Sequence, residues 1–251
     1  MSSQNGGELM SHGLQVEFCG EWFAVAEEEP FLVGREGDLV IDDNPYLHRR
    51  FLRIAHESGL WWLENIGSRI AATVADSDGN LQAWVAPGAR LPLVFAKTTV
   101  LFTAGPTTYE LSIVGQEPSY ESNVGESESG DTTIGPVVLT DSQRALVLAF
   151  AEPVLRGRGS TAAIPTSAQA AARLGWTLTR LNRKLDNVCD KLSRQGVRGL
   201  RGGPRRLAVN RRARLVEHAV ATRMVTADDL PLLDVQASLA ATAAAAGHYD
   251  A

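Results

Sequence analysis

Cysteine is nearly missing from this chain: Cys19 and Cys189 are far apart and stand in no Cys-x-x-Cys or Cys/His spacing. That argues against a disulfide framework or a structural zinc and fits a reducing cytoplasm, where the protein is expected to reside. Long apolar runs are missing too. Stretches such as 84–87 and 91–96 fall far short of the ~20 residues that cross a bilayer, so no membrane partner is expected. Residues 1–7 carry neither the basic start nor the apolar stretch of a secretory leader. There is no Gly-x-x-x-x-Gly-Lys loop, no Gly-x-Ser-x-Gly and no His-Glu-x-x-His, and the 5 histidines are scattered over different segments. A binding protein is expected rather than an enzyme, with no cofactor and no metal.

Lysine is also scarce, 3 residues against 21 arginines, within an Ala, Gly, Arg and Val bias that fits a high-GC bacterial genome. The net charge of −5 hides a split by position. Residues 1–139 hold 7 basic and 20 acidic side chains, a net of −13, whereas residues 140–223 hold 17 and 5, a net of +12. The last 28 residues add four aspartates. A basic block of that density is the electrostatic footprint of a nucleic-acid binder. The chain therefore reads as two functional halves.

In the first half, short β-branched and aromatic runs follow one another at 14–18, 22–26, 31–34, 39–41, 51–55, 60–63, 70–74, 81–85, 91–95, 99–102 and 109–114. Turn signals such as Glu57-Ser58-Gly59, Asp78-Gly79-Asn80 and Gly105-Pro106 separate them. About eleven short strands without a helical period predict a mainly β, antiparallel sandwich over residues 14–114, behind a flexible start at 1–13. Residues 115–138, rich in Glu, Ser, Gly, Asn and Pro, cannot bury enough apolar surface to offset ordering entropy. They read as an acidic flexible linker.

Beyond Val138 the period turns helical. Thr140-Asp141-Ser142-Gln143 is a capping box that opens a helix burying Leu146, Val147 and Phe150. Thr166 caps a short helix over 167–174 that stops at Gly175. Thr177 opens a longer one, whose Leu178, Leu181, Leu185, Val188 and Leu192 form a buried stripe before Gln195-Gly196 ends it. Residues 197–200 and 207–209 flank Arg201-Gly202-Gly203-Pro204 as a hairpin, and Asn210 caps a last helix to about residue 223. Helix, helix, turn, helix, hairpin, helix over 139–225 is the layout of an α-helical winged helix-turn-helix domain. Residues 226–251 read as a flexible Ala-rich tail.

Opposite the leucine stripe, Thr177, Thr179, Arg180, Asn182, Arg183 and Lys184 would face double-stranded DNA. Arg198, Arg201, Arg205 and Arg206 on the hairpin suit backbone or minor-groove contacts. Arg211-Arg212-Ala213-Arg214 is a further phosphate-clamp candidate. The same basic surface suits RNA or an acidic protein, and those alternatives stay open.

Four segments in order carry a family resemblance: Phe31-Leu32-Val33-Gly34-Arg35; Asp38-Leu39-Val40-Ile41 with Asp42-Asp43; His48-Arg49-Arg50-Phe51-Leu52-Arg53-Ile54; and Trp61-Trp62-Leu63-Glu64-Asn65-Ile66-Gly67-Ser68. Over roughly residues 14–114 the chain resembles the forkhead-associated (FHA) family of bacterial, actinobacterial-like type. The third segment stands where that family has Ser-Arg-x-His, and the fourth where it has a strand ending in an Asp/Asn-Leu-Gly-Ser turn. The resemblance implies that loops at one end of the sandwich bind a phosphothreonine protein partner through Arg35, His48, Arg49, Ser68 and Arg69. It also implies a Ser/Thr protein kinase as a partner in the same signalling. Three positions depart: His48 replaces the phosphate-binding serine, Phe51 the scaffolding histidine and Ile70 the peptide-clamping asparagine. Ala71 stands where glycine is usual. His48 can still donate to a phosphate, whereas Ile70 cannot donate to a peptide backbone.

Thr132 and Thr133, behind Glu126, Glu128 and Asp131, are candidate phosphorylation sites, and tethering would give them a high effective concentration at that pocket. The whole predicts a phosphopeptide-interaction module coupled to a DNA-binding domain, a signal-responsive transcriptional regulator. The alternative is a phospho-independent scaffold or adaptor in Ser/Thr kinase signalling whose basic domain does not bind DNA. The acidic half is expected to cover the basic half and restrain it.

Overall fold

The structure is a computed structural model that describes residues 13–79, 81–115, 137–157, 161–201 and 211–246. Strands are numbered in chain order. The larger sheet runs β2 (Glu21–Val25), β1 (Leu14–Phe18), β11 (Thr107–Val114), β10 (Lys97–Ala104), β7 (Ala72–Asp76), β8 (Gln82–Val85), with β12 (Thr161–Ala163) also on β11. The smaller runs β4 (Leu39–Val40), β3 (Phe31–Gly34), β5 (Leu52–Glu57), β6 (Leu60–Asn65), β9 (Arg90–Pro92). Their inner faces share one core, in which Val16, Val33, Phe51, Ile54, Leu63, Phe102 and Tyr109 are fully buried. Phe102 sits between the rings of Phe51, at 4.7 Å, and Tyr109, at 5.3 Å. Such close aromatic pairs contribute beyond their buried area.

The sandwich was expected to be antiparallel throughout, but β3 and β4 pair in parallel (Val33↔Leu39). A tight loop brings the chain round: Leu32 N–H donates to Asp38 Oδ2 at 2.8 Å, and Gly37, at φ +140°, has no room for a Cβ against Leu32 O.

Helices α1 (Asp141–Arg156), α2 (Ser167–Arg173), α3 (Leu178–Arg194), α4 (Arg211–Ala221) and α5 (Pro231–Ala246), with a 3-10 turn at Ala227–Asp229, build a third layer. The sequence had suggested separate halves; instead the helices cover the outer face of the larger sheet. On β10, Val100 and Phe102 point into the sandwich while Leu101 between them joins the helical core. On β7, Val74 and Ala75 divide the same way. A sheet buried on both faces loses its apolar–polar alternation, which is why Val100-Leu101-Phe102 reads as a continuous apolar run.

The expected capping boxes form. Gln143 N–H donates to Thr140 Oγ1, and Thr140 N–H to Gln143 Oε1; Thr166 and Gln169 repeat the arrangement. On α3, Leu181, Leu185, Val188, Cys189 and Leu192 are buried, but Leu178, expected in the stripe, is 48% exposed in the first turn. Residues 197–200, expected as a strand, form a turn. Gly196 (φ +89°) and Gly199 (φ +87°) take left-handed backbone that no strand holds. The rest of the expected hairpin, with Arg205 and Arg206, lies outside the described residues, as do most of the linker, Thr132 and Thr133.

The segment read as a flexible Ala-rich tail is helical from Pro231 to Ala246. Alanine is the best helix former, and Leu233 is fully buried in the helical core. Asp229 and Asp234 bond Arg144 and Arg173 at 3.2 and 2.8 Å.

One buried polar cluster joins the layers. Glu217 of α4 is buried against the sheet, accepting from Thr103 Oγ1 at 2.6 Å and Thr73 Oγ1 at 3.2 Å. The single hydroxyl hydrogen of Thr103 goes to Glu217, so the 3.0 Å contact with Thr108 has Thr108 as donor. Arg214, one turn earlier, donates to Thr73 and reaches Glu217 Oε2 at 3.4 Å. Burial pushes the Glu217 carboxyl up, against the pull of the two threonines and Arg214. Removing one member of such a pair leaves the other uncompensated. Glu217→Ala should therefore cost about 3–5 kcal/mol in urea unfolding, and the double change Arg214→Met, Glu217→Leu should recover most of it.

The neighbouring His218 is 8% exposed, and its Nδ1 has no hydrogen-bond partner among the described residues. Burial, and then Arg214, push its pKa down to about 4. Between the ordinary 6.5 and that value the unfolded chain binds a proton that the folded chain refuses. Stability present at pH 7 is thus lost as pH falls, by about 3 kcal/mol from this group. Urea midpoints at pH 7 and 4 should show that part of the acid loss abolished in His218→Gln.

Candidate anion-binding site

Three loops meet at one end of the sandwich, and glycines let them. A Cβ on Gly34, at the end of β3, would lie 2.2 Å from Arg49 O. Glycine there lets Arg35 N–H donate to His48 O at 3.1 Å and Glu36 N–H to Arg49 O at 2.8 Å. Asn65, buried at the end of β6, donates through Nδ2 to Ile70 O and Val85 O at 2.8 and 2.9 Å. Its Oδ1 accepts from Gly67 N–H at 3.0 Å. The β4–β5 loop is pinned by Asn44, whose Nδ2 donates to Ala104 O and Tyr109 Oη; Tyr109 in turn donates to Asp42. Asn44 and Tyr109 had not been singled out in the sequence, because each contributes through pairing with a residue some 65 positions away.

His48 occupies the centre. Its Nε2 accepts from the backbone N–H of Ser68 at 3.2 Å and of Arg69 at 3.1 Å. An accepting Nε2 carries no proton, so the ring hydrogen sits on Nδ1. Burial, then Arg69 and then Arg35, lower the His48 pKa and keep the ring neutral. The expectation that His48 donates to a phosphate is thereby corrected at Nε2: the ring ties two loops together. Phe51, three residues on, belongs to the core of the sandwich.

Around His48 opens a concavity of about 910 Å³. Arg35, Arg49, Arg69 and Arg212 line it, and among the described residues no carboxylate does. Nε of Arg35 is buried without a hydrogen-bond partner among the described residues. Arg49 contacts Glu36 at 3.4 Å, with both side chains well exposed, a pairing worth little in water. Ser68 and Arg69 are exposed beside them, and Ile70 adds an apolar wall. The structure thus brings together all five residues expected on the sandwich loops and adds Arg212 from α4. The sequence had grouped Arg212 with a helical phosphate clamp, since nothing in a linear pattern sets α4 beside a loop.

The residues expected to face DNA are less uniform. Thr177 caps α3 through its hydroxyl, Lys184 Nζ donates to Ser142 at 2.7 Å, Asn182 is half-buried and Arg201 pairs with Asp190 at 2.6 Å. Thr179, Arg180 and Arg183 are exposed near the start of α3, the Arg180 guanidinium lying over Trp176 at 4.3 Å. Arg198 follows the other end of the helix, roughly 25 Å away by helical rise. Arg211 and Arg214 are tied to Asp186 and Glu217. Among the described residues no cluster of three or more His, Cys, Asp or Glu is placed to hold a metal, and no helix is long and apolar enough to cross a membrane.

No protein-family model matches the sequence, and no curated protein matches it. Among solved structures the chain is similar to the Mycobacterium tuberculosis Rv1747 FHA-1 crystal structure, with 18% identity over 41% of this chain and 97% of that one, at a TM-score of 0.31. It is also similar to the solution structure of the FHA domain of an Arabidopsis thaliana hypothetical protein, with 18% identity over 49% and 99% and a TM-score of 0.32. A third is the FhaA FHA domain complexed with the intracellular domain of Rv3910, with 20% identity over 40% and 96% and a TM-score of 0.27.

The role of His48 can be tested through its neighbour. A Cβ on Gly67 would approach His48 Cδ2 to 2.6 Å. Gly67→Ala should displace the ring, expose the Ser68 and Arg69 amides to hydrogen exchange and raise the His48 pKa toward 6.5 as burial is relieved. Nitrogen-edited NMR titration of the histidines reads all three, with wild-type His48 expected in the Nδ1–H tautomer.

Proposed function

We propose that the protein is an FHA-like interaction module that binds a phosphothreonine-bearing protein partner, the phosphate being supplied by a Ser/Thr kinase. The supporting observation is the grouping of Arg35, Arg49 and Arg69 at one end of a sandwich whose charge is otherwise acidic, around a concavity that no carboxylate lines among the described residues, with a buried guanidinium N–H that lacks an acceptor there. A buried donor left unmatched costs about 1–3 kcal/mol, which a phosphate oxygen would recover. A dianionic phosphate also answers the local charge through short, charge-assisted bonds. Arg35, Ser68 and Arg69 are the direct donors in this reading, and His48 positions the loop that carries two of them. With Ile70 where a backbone-gripping side chain would stand, affinity rests mainly on the anion. Phosphothreonine peptides should therefore bind the full chain with marked salt dependence, while unphosphorylated counterparts do not. Arg35→Ala should weaken binding at least about tenfold, the loss of one charge-assisted contact. Fluorescence anisotropy with matched peptide pairs checks this; equal binding of phosphorylated and plain peptides favours the phospho-independent scaffold.

A second reading, DNA binding that makes the chain a cytoplasmic transcriptional regulator, is favoured by Thr179, Arg180 and Arg183, exposed near the start of α3 with no carboxylate on either arginine among the described residues. Titrating the full chain with duplex DNA at several salt concentrations tests it. Arg180→Ala with Arg183→Ala should flatten the slope of log K against log salt by about 2 if both meet phosphates. An unchanged slope removes the reading.

A further inference from the structure

We infer that the helical layer completes the anion site through Arg212, so that the preferred ligand is a phosphopeptide carrying a second anionic group. The inference rests on the phosphopeptide reading above and adds the chemistry of its ligand. Its basis is a juxtaposition of two unmatched guanidinium groups from opposite ends of the sequence. Arg35 approaches the concavity from the sandwich with its Nε unpartnered among the described residues. Arg212 approaches from α4, half-buried, with Nη1 donating to Pro165 O at 3.0 Å. Most other partly buried arginines of the helical layer have a carboxylate partner. Arg144 has Asp229, Arg173 has Glu152 and Asp234, Arg211 has Asp186 and Arg214 has Glu217. Arg212 has none among the described residues, although its guanidinium carries five donors and one carbonyl satisfies only one of them.

The wall that carries it is built onto the sandwich. β12 pairs with the start of β11, Thr107↔Ala163 through Tyr109↔Thr161, and Ile164 N–H donates to Pro106 O at 3.1 Å. Pro165, whose carbonyl holds Arg212, follows directly. A cation held by a main-chain carbonyl on a hydrogen-bonded wall is preorganised, which lowers the ordering cost of a contact made there. The concavity, at about 910 Å³, lies at the upper end of the range for ligand sites and exceeds what one phosphate fills. A second anion on the same peptide, carboxylate or phosphate, would meet Arg212 while the phosphothreonine meets Arg35.

The test uses the full chain and three sets of fluorescent peptides. All carry one phosphothreonine; one set is otherwise neutral, one adds an aspartate at varied spacing, and one adds a phosphoserine at the same positions. At the best spacing a second anion should tighten binding to the wild type about tenfold, the worth of one charge-assisted contact. The aspartate and phosphoserine sets separate a carboxylate from a phosphate as that anion. Arg212→Gln, which keeps a donor toward Pro165 O, should bring the ratio of double to single anion to near one while leaving the single-anion affinity within about twofold. Arg212→Lys, which retains the charge, should keep part of the preference and serves if the glutamine variant does not fold. Phosphopeptide binding with no second-anion preference, or a preference that survives both changes at Arg212, overturns this inference and leaves the phosphopeptide reading standing. Absence of binding to any phosphopeptide removes both.

Discussion

A carboxylate that cannot reach water organises this molecule. Glu217 lies between a helix and the outer face of a sheet, held by Thr73, Thr103 and Arg214. A carboxyl group in such a place is tolerable only when its hydrogen-bonding capacity is met. That requirement fixes how α4 sits on β7 and β10. It also fixes where the start of α4 points, and so sets Arg212 at the mouth of the loops. The polar cluster specifies orientation, whereas Leu101, Ala75 and the helical core around them supply the apolar burial.

Much of the local structure was legible in the sequence. Capping residues such as Thr140 and Thr166 act within three positions of themselves, and strand runs bounded by glycine turns carry their own punctuation. What escaped depends on contacts between distant segments. The outer face of the larger sheet carries Thr73, Thr103 and Thr108, which look like solvent-facing strand residues until Glu217 covers them. The alanine-rich terminal helix looks featureless because its anchors, Leu233 and Asp234, depend on partners elsewhere. The same limit applies at the candidate site. Arg35 and Ser68 stand in recognisable local patterns, but Arg212 is a neighbour only by way of the third layer.

His48 and Phe51, three residues apart, divide two tasks at this end of the sandwich. Phe51 packs at 4.7 Å on Phe102 in the core, and the His48 ring accepts two main-chain hydrogens. Neutrality suits this task, since a protonated ring would present a donor to two amides that are themselves donors. Arg35 and Arg69 nearby reinforce the neutral state, so the cations that give the concavity its sign also keep its central ring uncharged.

β12 lies beside Thr107–Tyr109, the stretch of β11 that β1 does not reach, since β1 pairs only with Ser112–Val114. The lane is filled by a strand from the other half of the chain. The larger sheet is therefore assembled from segments far apart in the sequence, and neither set is complete alone. Strands β1–β11 by themselves would expose Leu101 and an unpaired lane on β11, and the helices by themselves a carboxyl group without its hydroxyl partners. The change of charge along the sequence is thus not the edge of a folding unit.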